Sequence, residues 1–138
     1  MSFDVEPARD LVRITLAGFF TPDDVERFVA ARDAAHRQLR CGPNAHVTLV
    51  DMRAMQIQSQ ETVTAFQQVL GDPRQASRRL AFVVARSLAR LQIKRAASER
   101  EAAYFTTVEE AKAWVTGINA SVYIRLLIAT FPLVALRA

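Results

Sequence analysis

The chain has 138 residues, enough for one domain with a real core, and 51% of them are hydrophobic against 23% charged, an ordinary balance for a water-exposed fold. The formal net charge is +4 and the sequence pI is about 10.0, compatible with an acidic partner or anionic lipid but modest enough to need no electrostatic role. A single cysteine, Cys41, excludes an internal disulfide, and the acidic opening Met-Ser-Phe-Asp-Val-Glu lacks the apolar core of a signal peptide, so a cytoplasmic protein is expected.

Residues 3–6 alternate apolar and acidic, as a half-buried strand does. Pro7-Ala8-Arg9-Asp10 reads as a turn and residues 11–16 as a second strand, which together predict a hairpin. Thr21-Pro22-Asp23-Asp24 is a helix start: Thr21 as N-cap, Pro22 at the first helical position, two carboxylates in the first turn. Val25, Phe28, Val29 and Leu39 mark its apolar stripe, and Gly42-Pro43 is the predicted stop. Residues 47–51 form an almost unbroken apolar run, the pattern of a central parallel strand covered on both faces.

A second helix follows with Val63, Phe66, Val69 and Leu70 inward, ended by Gly71-Asp72-Pro73. Residues 80–84 predict another buried strand, and Ser87 the cap of a third helix reaching about Arg100. Tyr104-Phe105 is a short strand running into a last helix. There Thr107 and Glu110 have the spacing of a capping box, and Val108, Ala111 and Val115 share one face. A hairpin followed by alternating helices and strands predicts an α/β fold with a mixed, largely parallel sheet of about five strands. One domain spans residues 1–117.

Residues 118–138 form an apolar extension with only Arg125 and Arg137 charged. The uninterrupted stretch between them, broken in character by Pro132, is too short to span a bilayer, so no transmembrane segment is expected. A buried helix or strand, an arm at a homodimer interface, and membrane contact are the readings of this segment.

No metal or cofactor is expected. His36, Cys41 and His46 lack the spacing of a ligand set, and no glycine-rich phosphate loop or nucleophile elbow is present. With no nucleophile–base or paired-carboxylate arrangement visible, the chain reads as a non-enzyme. Asp51 and Arg53 lie at the carboxyl end of the central strand, where ligands bind in open α/β sheets. They read either as a polar pair at a pocket mouth or as a loop-capping carboxylate with its arginine. Arg74, Arg78, Arg79, Arg86, Arg90, Lys94, Arg95 and Arg100 stand against a single acid, Glu99, and Arg86, Arg90 and Lys94 share a helical row. That row suits phosphate, anionic lipid or an acidic partner, or is a solvated basic face. Nucleic acid is not expected, because the stacking aromatics it would need are absent around the run.

The order of these elements resembles the STAS-like proteins called SpoIIAA-like. The resemblance spans about four-fifths of the chain, from the Phe3 hairpin to Trp114, and is carried by residues 10–20, Leu49-Val50-Asp51-Met52-Arg53, residues 79–84 and the stretch from Tyr104 to Trp114. It implies a non-catalytic regulatory or binding module with a protein partner. A fold also similar to Sec14-type lipid binders makes a small amphiphilic ligand in an apolar pocket the alternative. Studied STAS domains carry an Asp-Ser-Ser-Gly turn whose second serine is phosphorylated. An ungapped count from Asp51 puts Ser59-Gln60-Glu61-Thr62 there, with Glu61 in the serine's place, so no phosphoryl switch is expected at Ser59. The resemblance and the charge pattern together name Asp51, Arg53, Ser59, Glu61, Arg86, Arg90 and Lys94 as binding candidates. The tail generates its own expectation. Truncation after Gly117 should turn a dimer into an aggregation-prone species, and light scattering of equal solubility and mass for both forms would contradict it.

Overall fold

In the computed structural model, which describes residues 1–85, 88–97 and 101–117 (backbone only for Leu88, Ala89 and Arg90), the chain opens with the predicted hairpin. Strands β1 (Ser2–Glu6) and β2 (Leu11–Gly18) pair antiparallel around a 3-10 turn, Pro7–Arg9. The proposed cap Ser87, the helix end near Arg100, the side chains of Arg86, Arg90 and Arg100, and every reading of residues 118–138 lie outside the described residues.

Helix α1 (Pro22–His36) starts where the sequence placed it. Thr21 accepts from the Asp24 N–H while the Asp24 carboxylate accepts from the Thr21 N–H, a complete capping box. It ends six residues before Gly42. The N–H groups of Gln38 and Leu39 fall back onto the Ala35 and His36 carbonyls at 3.0 and 3.1 Å, a tightened turn that closes the helix.

Strand β3 (Val47–Met55) runs four residues past the predicted end, because β2 continues to pair with it as far as Gly18 opposite Met55. Helix α2 (Gln60–Leu70), strand β4 (Arg79–Val83), helix α3 (Leu88–Ala96), strand β5 (Ala103–Phe105) and helix α4 (Val108–Thr116) follow. At α4 the Thr107 side chain accepts from the Glu110 N–H, but the reciprocal half of the expected box is not made.

The sheet order is β1-β2-β3-β4-β5, and every pair after the first is parallel. This monotonic order has a consequence for the layers. Each parallel connection steps to the next strand in the same direction, and right-handed crossovers then put every connecting helix on one face. Val25 and Phe28 of α1, Val63 and Phe66 of α2 and Ile93 of α3 accordingly share one core with Val12, Ile14, Leu16, Val50 and Phe82. Among the described residues only α4 covers the opposite face, where Ala111 and Val115 meet Leu11, Val47, Leu49, Ala81 and Val83. Strand β3 is covered on both sides, as its apolar run requires. In the larger layer Phe3, Phe28, Phe66 and Phe20 form a chain of ring contacts with centroids 5.5 to 5.8 Å apart.

The α1 cap is testable by substitution and by acid. Thr21→Ala should cost about 1 kcal/mol in urea denaturation, from loss of the N-cap acceptor. The Asp24 carboxyl is held down to about 2 from 3.8, first by the Thr21 N–H and then by Arg27. A depressed folded value means the carboxylate's contribution is complete above about pH 4 and disappears as pH falls through about 2. Asp24→Asn should therefore flatten the acid limb of the stability curve in that window. An unchanged limb would show that the box does not form in solution.

Candidate functional site

Gln56-Ile57-Gln58 leave the carboxyl end of β3 and meet the end of β2. Gly18, at φ 80°, turns β2 away, and its carbonyl accepts from the Gln56 N–H at 3.0 Å. A left-handed φ of this size favours glycine. The side chain of Gln58, buried, then stitches the two segments together. Its Oε1 accepts from the Phe20 N–H at 2.8 Å, and its Nε2 donates to the carbonyls of Gly18 and Gln56 at 2.9 and 2.6 Å. Gln92 of α3 grips the backbone of the same residue. It accepts from the Gln58 N–H at 2.6 Å and donates to the Gln58 carbonyl at 2.7 Å, the pairing a neighbouring strand would make. Thr62, fully buried in the first turn of α2, donates to the Phe20 carbonyl at 2.8 Å. Loop backbone at a sheet end needs partners for its polar groups, and two glutamines and a threonine supply them.

Beneath this clamp lies a cavity of about 60 Å³ between the sheet and helices α2 and α3. Val50, Met52, Phe66, Phe82 and Ile93 are among the residues that line it, with Gln56, Gln58 and Gln92, and its surface is almost wholly apolar. Above the clamp three large apolar side chains face solvent: Phe19, Ile57 and Leu91, exposed by 55%, 53% and 58%. Each is the chain neighbour of a residue the clamp holds, so the clamp brings their backbone segments together. The Gln56 side-chain amide stands beside them, exposed.

The predicted site residues do not converge. Asp51 and Arg53 pair with each other: the guanidinium forks onto the carboxylate at 3.0 and 2.8 Å, and the Arg53 N–H adds a third bond at 3.2 Å. The Arg53 hydrogen bonds hold the Asp51 carboxyl below the usual carboxylate range against the opposing effect of burial, and Asp51 raises Arg53 in return. Asp51 continues the Val47–Leu49 side of β3, so the pair sits on the α4 face, opposite the cavity. A register shift between β2 and β3 adds one residue to β3 just there, a bulge that ends strict alternation. Ser59 caps α2 by accepting from the Thr62 N–H at 3.2 Å, and Glu61 is exposed in the same turn. Lys94 lies 5.3 Å over the ring of Tyr104, which stacks on Phe82. Arg86 and the Arg90 side chain lie outside the described residues.

A second polar cluster lies at the amino end of β3. The rings of His36 and His46 are 4.3 Å apart, His46 Nε2 and Ser77 Oγ are 3.2 Å apart, and Ser77 Oγ is 2.5 Å from Thr48 Oγ1. His36 also bonds Gln75. Together with the Arg78 N–H donating to the His46 carbonyl, these contacts fasten the loop before β4 to the start of β3. The Cys41 thiol is pushed up by burial and by nearby Asp10, which keeps it protonated and poorly nucleophilic. Among the described residues no group of three or more His, Cys, Asp or Glu is placed to hold a metal ion, and no helix is long and apolar enough to cross a membrane.

No known family model, curated protein or solved structure matches the chain.

The clamp makes a stability prediction that separates it from surface decoration. Gln58→Leu should destabilise by about 2–3 kcal/mol in urea denaturation, because it leaves the Phe20 N–H and a loop carbonyl unpaired. Gln56→Leu, two residues away and outside the side-chain network, should stay within about 0.5 kcal/mol. Equal effects would contradict the assignment.

Proposed function

We propose that the chain is a non-enzymatic, STAS-like binding module that docks another protein through the carboxyl end of its sheet. The observation that carries this reading is the exposed trio Phe19, Ile57 and Leu91, fixed around a hydrogen-bonded clamp rather than scattered. An apolar patch ringed by satisfied polar groups has the make-up of a protein contact: apolar centre, polar rim. The polar groups at this end are spent on one another, which suits a fixed docking surface better than acid–base chemistry. A cytoplasmic homodimer remains part of the proposal on sequence grounds alone.

The carrier of a small amphiphile is the second reading, favoured by the apolar cavity among Phe66 and Phe82. Its size works against it. The cavity is about 60 Å³, well below the roughly 150 Å³ of an engineered core cavity that binds benzene, and as it stands it is small for a fatty acyl chain. Of the cations that could meet such a ligand's carboxylate, Arg53 or the Arg86/Arg90 row, Arg53 is bonded to Asp51 on the other face, and the Arg86 and Arg90 side chains lie outside the described residues.

A photo-crosslinking residue placed at Ile57, and at exposed Gln68 as a control, tests the proposal in cells that make the protein. A discrete adduct with a second protein from position 57 alone, with a clean apo mass in native mass spectrometry, is expected. Equal adducts from both positions, or a stoichiometric co-purified lipid, would contradict it.

A further inference from the structure

We propose that a small monocarboxylate, of the acetate and propionate class, binds in a cavity at the amino end of the sheet, with Arg32 as its partner. The site is separate from the docking surface, which lies at the carboxyl end of the strands.

The cavity lies between the later turns of α1, the first residues of β3 and β4, and the loop that joins α2 to β4. Its volume is about 60 Å³. Ile14, Phe28, Val50 and Leu80 line it together with Arg32 and Gln75, and most of its surface is apolar. A concave, mainly apolar site with a few polar groups is the usual form of a small-molecule site.

Arg32 carries the argument. Its side chain is only 11% exposed. Its Nε–H and one Nη2 N–H reach a single oxygen, Oδ1 of the neighbouring Asp33, at 3.3 and 3.2 Å. The remaining guanidinium N–H groups have no acceptor among the described residues. Gln75 adds to this surplus of donors. Its Oε1 accepts from His36 Nδ1 at 2.8 Å, and its amide N–H groups have no acceptor among the described residues. Donors held away from bulk water are costly to leave unpaired, above all charged ones. Water can accept from them, but only an anion also meets the charge. A carboxylate matches the planar fork of a guanidinium.

The same surroundings restrict the anion. One water needs roughly 10–15 Å³ of such space, so the cavity holds about four or five heavy atoms. Its apolar lining rewards a methyl or ethyl group and leaves most oxygens of a phosphate without donors. Asp72 also lines it, and a second negative charge on the ligand would meet that carboxylate. Asp72 is itself occupied: it accepts from the Arg74 N–H at 3.0 Å and from the Arg74 guanidinium at 3.3 and 3.4 Å. It therefore has little to offer the ammonium of an amino acid.

Titration of the ¹⁵N-labelled full chain with sodium propionate at constant ionic strength provides the test, read at the Arg32 Nε–H and at the amides of residues 72–77. Saturable shifts at both places are expected. Propionamide, alanine and inorganic phosphate should each bind at least about fivefold more weakly, since each lacks one of the matched features. Arg32→Gln should weaken propionate by a similar factor, while Arg37→Gln, at an exposed cation at the end of α1, should leave it nearly unchanged. Circular dichroism checks that both variants fold, and the comparison of ligands on the unaltered chain judges the proposal without them. Shifts that grow without saturating, phosphate or alanine binding as well as propionate, or equal losses from Arg32→Gln and Arg37→Gln would each overturn it.

Discussion

The side chain of Gln58 is the constraint on which this end of the molecule depends. Two loop segments meet where β2 and β3 leave the sheet, and among the described residues neither has a strand beside it to satisfy its backbone. One amide, accepting from Phe20 and donating to Gly18 and Gln56, replaces the missing ladder. Gln92 does the same for Gln58 itself. Low-dielectric surroundings make such a network stiff when complete and costly when broken. Phe19, Ile57 and Leu91 owe their fixed position to it, because each is bonded in sequence to a residue the network holds.

Topology decides which face this happens on. Monotonic strand order and right-handed crossovers place α1, α2 and α3 together, so cavity and clamp lie on their side. The α4 side receives Asp51 and Arg53. That pair is a closed local unit of three hydrogen bonds, with a buried carboxylate and a half-exposed arginine. The amino end of the sheet has its own polar fastening in His46, Ser77 and Thr48, which leaves the carboxyl end as the place where apolar surface is presented.

Much of the fold was legible because its signals are local. The Thr21-Pro22 start of α1, the apolar run of β3 and the Thr107 cap of α4 each lie within a few residues. The site was less legible because its parts are distant in sequence. Gln58 contacts Phe20 and Gly18 across 38 and 40 residues and Gln92 across 34, and nothing in Gln-Ile-Gln marks a clamp. Phe19 and Phe20 are adjacent and chemically equal, yet one is 5% exposed and the other 55%. The direction of the chain after Gly18 decides which is which. The face of Asp51 was readable, since it shares parity with Leu49 in β3, but only once α4 was known to pack on that side. Lys94 illustrates the limit of charge patterns: its row is real in sequence, while its ammonium lies on the Tyr104 ring.

The central claim is that side-chain amides, not strand pairing, hold the backbone of this rim. Native-state hydrogen exchange at the Phe20 and Gln58 amides tests it most directly. Both lie outside the strands, yet both donate to a glutamine Oε1, at 2.8 and 2.6 Å. The account predicts that they exchange as slowly as the core amides of β3, through global rather than local opening, and that Gln92→Ala releases Gln58 to fast exchange. Exchange of both amides at the rate of free loop residues in the unaltered protein would contradict it.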